Sequence, residues 1–245
     1  MRLLVNTQSS QLTISYLRKG LLRMFSKTVN FIRLYYLALF VVLYVSFHNS
    51  SVYALFILNT FLAYIPIELT FLINKLKRTF GILFLTGLWL LFFPNNFYLF
   101  TDLFHLSLLS PYNSQTMMIT TDISVWFKLL MVILSVLPIT FLGCWSVDSI
   151  SSIIKKCFLK KISLTAIMMV ILFLNTIGVY LGRFGRLNSI DSITSFKKTA
   201  QNIVSQLVHL DVNAIKLIIL FYVFSLIIMA TYLLITSLPT QKLVD

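Results

Sequence analysis

Asp102 and His105 stand three residues apart in the stretch FFPNNFYLFTDLFHLSLLSP, Phe92 to Pro111. On a helix they share a face with Tyr98. A carboxylate beside an imidazole can pass a proton near neutral pH, so Asp102 and His105 are the candidate acid–base pair. Asn95, Asn96, Thr101 and Asp122 belong to the same polar stretch. A second polar stretch, GVYLGRFGRLNSID from Gly178 to Asp191, carries Arg183, Arg186, Asn188, Ser189 and Asp191. Guanidinium groups bind phosphate or carboxylate with paired hydrogen bonds. Arg183 and Arg186, with Asn95, Asn96, Asn188 and Asp191, therefore form the candidate anion-binding set. Asp102 and Asp191 are also internal partners open to the arginines.

What must position these groups is a membrane domain. The chain is 58% hydrophobic and 11% charged over 245 residues, against about 25% charged in a soluble domain. The apolar residues are gathered in long runs of the membrane-spanning kind. Six spans are predicted, at 31–48, 52–73, 79–94, 123–145, 162–182 and 213–238. Helices satisfy their own backbone inside lipid, which sets the fold class as all-α, a polytopic membrane helical bundle. Residues 1–30 read as a basic amphipathic arm and 31–245 as a single transmembrane domain. Pro66 and Pro138 are expected kinks, and Trp126 and Trp145 expected interface residues.

The net charge of +13 does not point to nucleic acid, because the basic residues cluster in short connections between apolar runs. Six spans put fourteen of the twenty Lys and Arg residues on one side and four on the other, with Lys128 and Lys216 inside helix ends. Positive residues mark the cytoplasmic side, so both termini are expected inside and both polar stretches outside. Residues 97–109 are too short to cross: thirteen residues rise ~20 Å against a hydrocarbon core of ~30 Å. An interfacial or re-entrant helix is expected there. Amphipathic surface helices are expected over 11–30 and over 192–210, the second capped by Asp191.

Asn59 and Asn175 each fall eight residues from an outer helix end, ~12 Å deep, where they are placed as a pocket floor; alternatively each bonds a neighbouring helix. No metal is assigned. Asp102 and His105 supply two ligands, and a third would have to come from Asp122, Asp191, His48 or His209, whereas zinc takes three or four. No cofactor is implied. Cys144 and Cys157 lack the neighbours of a metal or redox motif. Glu68, Lys128, Asn59 and Asn175 in spanning helices raise a transporter reading, but no internal repeat of the transporter kind is evident.

Three segments, NTFLAYIP at 59–66, LWLLFFPNNFYLFTDLFHL at 88–106 and GVYLGRFGRLNSID at 178–191, resemble a bacterial family of membrane proteins known as domain of unknown function 1361. The resemblance runs over about residues 50–235. Family members often carry tryptophan where this chain has Leu187 and Ile190. The resemblance implies a multi-pass protein of the bacterial cytoplasmic membrane and supplies no substrate. The leading expectation is recognition or processing of an anionic lipid or cell-envelope intermediate at the extracytoplasmic face. The alternative is an accessory or scaffold subunit docked on another envelope protein. Partners are then the lipid bilayer, an anionic or lipid-linked ligand, or a second membrane protein.

Overall fold

The computed structural model describes residues 26–49, 51–109, 111–112, 115–185 and 196–238. All regular elements among them are helical. The chain divides into two units at Ser50 and Ser51. The first contains α1, Ser26–Phe47, an apolar helix of 22 residues. It starts five residues before the predicted span. The arm expected over 11–30 lies outside the described residues up to 25.

The second unit is the bundle that carries the polar residues. It comprises α2 (Ser51–Ile73), α3 (Thr79–Phe92), α4 (Pro94–Thr101), a 3-10 stretch (Asp102–Leu109), α5 (Ile123–Cys157), α6 (Leu164–Arg183), α7 (Phe196–Val208) and α8 (Val212–Ser237). Among the described residues six helical runs, α1 included, are long and apolar enough to cross a membrane, and the chain is a multi-pass membrane protein.

Local chemistry sets the helix ends. Asp122, Ser163 and Asp211 each accept a backbone N–H of the first turn of α5, α6 and α8, at 2.9, 3.1 and 2.7 Å. Such caps satisfy donors that the helix leaves unpaired. Pro94 begins α4, where a missing N–H costs nothing. The turn at Phe93 keeps helical angles, so α3 runs into α4 across a single break.

Two expectations shift. α5 continues for twelve residues past the predicted end at 145, to Cys157. Hydropathy drops there because Ser146, Asp148, Ser149 and Ser151 interrupt the apolar run, yet Ser146, Val147, Ile150 and Ser151 are buried and hold the helix in the bundle. At 35 residues, α5 spans ~52 Å, well beyond the hydrocarbon core. Second, α4 does not lie on a surface. Asn96, Phe97 and Leu99 are buried, and α4 packs on α2, α5 and α6. Only the 3-10 stretch after it is largely open.

The core binds α3 through α6 and α8. Trp89 stacks on Phe93 at 4.5 Å between ring centres, and Phe93 meets Phe97 edge-on at 5.8 Å. Cys144, Val147, Ile150, Leu172 and Met229 belong to the same cluster. Two glycines let α4 in. A Cβ on Gly178 of α6 would fall on the Pro94 ring, and one on Gly143 of α5 would fall on the Asn96 amide. Bare backbone at both positions brings α4 close enough to be gripped from two sides.

Candidate functional site

The turn from α4 into the 3-10 stretch delivers Tyr98, Thr101, Asp102 and His105 to one place. Asp102 is fully buried. A carboxylate taken from water needs charge and hydrogen-bond partners, and two other helices provide them. From α2, Asn59 Nδ2 donates to Asp102 Oδ2 at 2.8 Å. From the last residue of α6, Arg183 Nη1 donates to Oδ1 at 3.0 Å. His105 Nδ1, from the same stretch as Asp102, lies 3.7 Å from Oδ1, beyond hydrogen-bond distance.

Arg183 is gripped in turn. Nη1 also donates to the Tyr98 hydroxyl at 3.1 Å, and Nη2 donates to the Thr101 carbonyl at 3.0 Å. Its guanidinium carbon sits 5.1 Å from the Tyr98 ring centre, within cation–π range. Its position at the C-terminus of α6 also sets the cation against the negative end of the helix dipole. Of five guanidinium donors, three are used within the cluster. The side chain remains 23% exposed, so the cluster is reachable from outside.

His105 is not oriented by the carboxylate. Its Nδ1 bonds the Asp102 backbone carbonyl at 2.9 Å, which places the proton on Nδ1 and leaves Nε2 as the open ring nitrogen. The i, i+3 register that brings the ring over that carbonyl follows from 3-10 geometry, in which such residues eclipse.

The other expected residues are placed as follows. Asn96 is buried and turned away, its Nδ2 donating to the Ile139 carbonyl of α5 at 2.8 Å. There it fixes α4 against the Pro138 region of α5 and presents nothing to a ligand. Asn95 donates to the Phe92 carbonyl at 2.9 Å and borders a cavity. Asn59 borders the same cavity. Asn175 is not among the lining residues; it is fully buried in α6, with neither end of its amide bonded among the described residues. Of the two amides expected at equal depth, Asn59 lines this cavity and Asn175 does not. Arg186, Asn188 and Asp191 lie outside the described residues.

Asp122 is spent as the α5 cap, His209 bonds the Ser205 carbonyl at 2.7 Å, and His48 bonds the Tyr44 carbonyl at 2.9 Å. Among the described residues no three His, Cys, Asp or Glu side chains converge.

The cavity beside the cluster holds about 280 Å³. Asn59, Asn95 and Tyr98 line its polar part, and Leu62, Leu174 and Leu181 are among its apolar walls. Ile203 of α7 also borders it. The expected amphipathic face of α7 is present: Ala200, Ile203 and Leu207 are half-buried, while Lys197, Gln201 and Asn202 are exposed. Gln206 lies between the two faces. It is half-buried and donates to the Gly185 carbonyl at 3.4 Å, anchoring α7 to the turn after α6.

Sequence reading did not count Tyr98 and the Thr101 carbonyl as part of the site. The only signal was the spacing of Tyr98 four residues before Asp102. A backbone carbonyl leaves no mark in a sequence.

No curated protein and no solved structure matches this chain. The family described as "Protein of unknown function (DUF1361)" matches residues 58–229. That stretch contains Asn59, Tyr98, Asp102, His105 and Arg183, and it covers more than half of the sequence. The chain belongs to this family, the protein family of unknown function numbered 1361.

Proposed function

We propose that this protein recognises an anionic lipid or lipid-linked envelope intermediate at the Arg183–Asp102 end of its bundle, in the cytoplasmic membrane of a bacterium. The carrying observation is that Arg183 is held on Asp102, Tyr98 and Thr101 while still 23% exposed. Such a guanidinium is pre-aimed, so a ligand need not order it. Asp102 offsets its charge. A headgroup is therefore held mainly by donated hydrogen bonds, from the guanidinium N–H groups left over and from Tyr98, whose hydroxyl accepts from Arg183 and keeps its own proton to give. Asn59 and Tyr98 belong to both the cluster and the cavity, so the cavity opens beside the group that Arg183 would hold. Arg186, Asn188 and Asp191 join the proposal through their closeness to Arg183 in sequence.

The positive-residue count supports an outward-facing site with both termini inside. Lys75, Lys77 and Arg78 follow α2, and Lys160 and Lys161 follow α5, at the bundle end opposite the cluster. Processing of the ligand would fall to His105, whose Nε2 is the group free to take a proton. The Ser107 and Thr101 hydroxyls donate to carbonyls of their own turn, so neither is poised as a nucleophile.

Lipids copurifying with the full chain test the reading. An anionic lipid enriched over its share of the host membrane is expected, with the enrichment lost in Tyr98→Phe and in Arg186→Gln. A composition equal to the bulk membrane overturns it.

A second reading, an accessory or scaffold subunit, is favoured by the internal satisfaction of Asp102 from both α2 and α6. On that reading the cluster ties α2, the 3-10 stretch and α6 together. Substitutions there would then lower abundance without changing the copurified lipids.

A further inference from the structure

A second concavity lies on the other side of α4 from the polar cavity. It holds about 530 Å³ and runs between α4, the 3-10 stretch, α6 and α8. That volume falls within the roughly 300–1,000 Å³ of small-molecule sites. Phenylalanines dominate its wall: Phe97 and Phe100 from α4, Phe104 from the 3-10 stretch, and Phe221 and Phe224 from α8. Phe100 and Phe224 meet at 4.6 Å between ring centres and close the groove between α4 and α8.

Four hydroxyls also line it, and every one has its proton committed. Thr101 donates to the Tyr98 carbonyl at 2.6 Å and Ser107 to the Phe104 carbonyl at 2.7 Å. Thr176 donates to the Leu172 carbonyl at 2.9 Å and Ser225 to the Phe221 carbonyl at 2.8 Å. The groove therefore offers its occupant no hydroxyl donor, only oxygens that can accept. An anionic or carbonyl-bearing group, which needs donors, would lose its water there without replacing it. A hydrocarbon chain would lose nothing.

Position narrows the occupant further. The groove lies among three helical runs long and apolar enough to cross a membrane, Thr79–Leu109, Leu164–Arg183 and Val212–Ser237, and acyl chains are the hydrocarbon that a membrane setting offers. It also touches the polar cluster directly. Thr101 lines the groove with its side chain while its carbonyl holds Arg183. Thr176 lies seven residues before Arg183, so the groove descends ~10 Å from the cluster along α6. Phe104 stands at the mouth, 75% exposed, next in sequence to His105.

The geometry points to a binding site for a single hydrocarbon chain of a membrane amphiphile in this groove, with the polar end of that molecule at Arg183 and His105. The chain site stands on the groove alone. The placement of the headgroup rests on the function proposed above.

Delipidated full-length protein in detergent, followed by native mass spectrometry, tests both. The probes are oleyl alcohol, dioleoyl phosphatidylglycerol and dioleoyl phosphatidylcholine. The wild type is expected to retain one oleyl alcohol per chain. Ser225→Leu, which fills the floor, and Leu220→Trp, which crowds the exposed rim, are expected to lower that retention at least tenfold. Leu220 is 61% exposed, so its variant decides the matter if Ser225→Leu fails to fold. Unaltered retention in Leu220→Trp, or no retention by the wild type, overturns the groove site. Equal retention of the phosphatidylglycerol and the phosphatidylcholine overturns the anionic headgroup while leaving the chain site standing.

Discussion

At one end of the bundle Asp102 gathers Arg183 from α6 and Asn59 from α2; toward the other, Ser146 of α5 gathers Thr70 from α2 and Trp89 from α3 without a charge. Both clusters tie α2 to other helices. Ser146 Oγ lies 2.6 Å from Thr70 Oγ1 and accepts the Trp89 indole N–H at 2.7 Å. One turn on, Asn74 and Ser149 bond each other at 2.8 Å. Thr70, Ser146 and Trp89 are all fully buried. The neutral cluster is closed, whereas the charged one keeps Arg183 and His105 part-exposed beside two concavities. Small hydroxyls suffice to join helices, at about 0.6–2 kcal/mol per bond in membranes. A buried carboxylate held by a reachable guanidinium exceeds what joining helices requires, and that excess is the reason to seek a ligand at this end alone.

Breaking each cluster in turn sharpens the contrast. Arg183→Ala is expected to have the largest effect, because it strands Asp102 without its cation. Loss of one partner of a buried ion pair costs about 3–5 kcal/mol, seen as a fall in unfolding temperature in detergent and in membrane abundance. Replacing both partners, Asp102→Asn with Arg183→Gln, should recover much of that stability while abolishing enrichment of anionic lipid. A double variant as unstable as Arg183→Ala would show that charge, not hydrogen bonding, holds this end. Gly178→Val comes next: the added side chain meets Pro94, and overpacking costs about 1–3 kcal/mol, again read by thermal unfolding. In the neutral cluster, Ser146→Ala leaves the Trp89 N–H without its acceptor, at about 1–2 kcal/mol, with no change in copurified lipid. Asn74→Ala, at the exposed edge, should move the unfolding temperature least, by the equivalent of about 0.5 kcal/mol.

The extent of legibility differs between the two clusters for a physical reason. Asp102, His105 and Arg183 stand out in a greasy chain because a charge there needs an explanation. Ser146, Thr70 and Trp89 are ordinary residues of an apolar helix, and nothing in their spacing announces that they meet. The same limit shows in the asparagines. Asn59 and Asn175 share a depth, yet only Asn59 faces Asp102. Asn95 and Asn96 are adjacent, yet one borders the cavity and the other is turned onto α5. Depth follows from counting residues at 1.5 Å each; azimuth depends on how each helix is rotated against its neighbours.

Hydropathy alone determined that the backbone crosses lipid as helices, since no other open structure satisfies its own polar groups there. The order of those helices also put both polar stretches at one end, because successive crossings alternate in direction. Only the folded bundle decided which donors reach Asp102, that α4 is buried rather than surface-lying, and that α5 outruns its apolar segment. Those outcomes turn on close approach at Gly143 and Gly178 and on side-chain pairs far apart in the chain, such as Asp102 with Arg183. Local sequence carries no information on contacts of that range until packing selects one arrangement among many of similar hydrophobic burial.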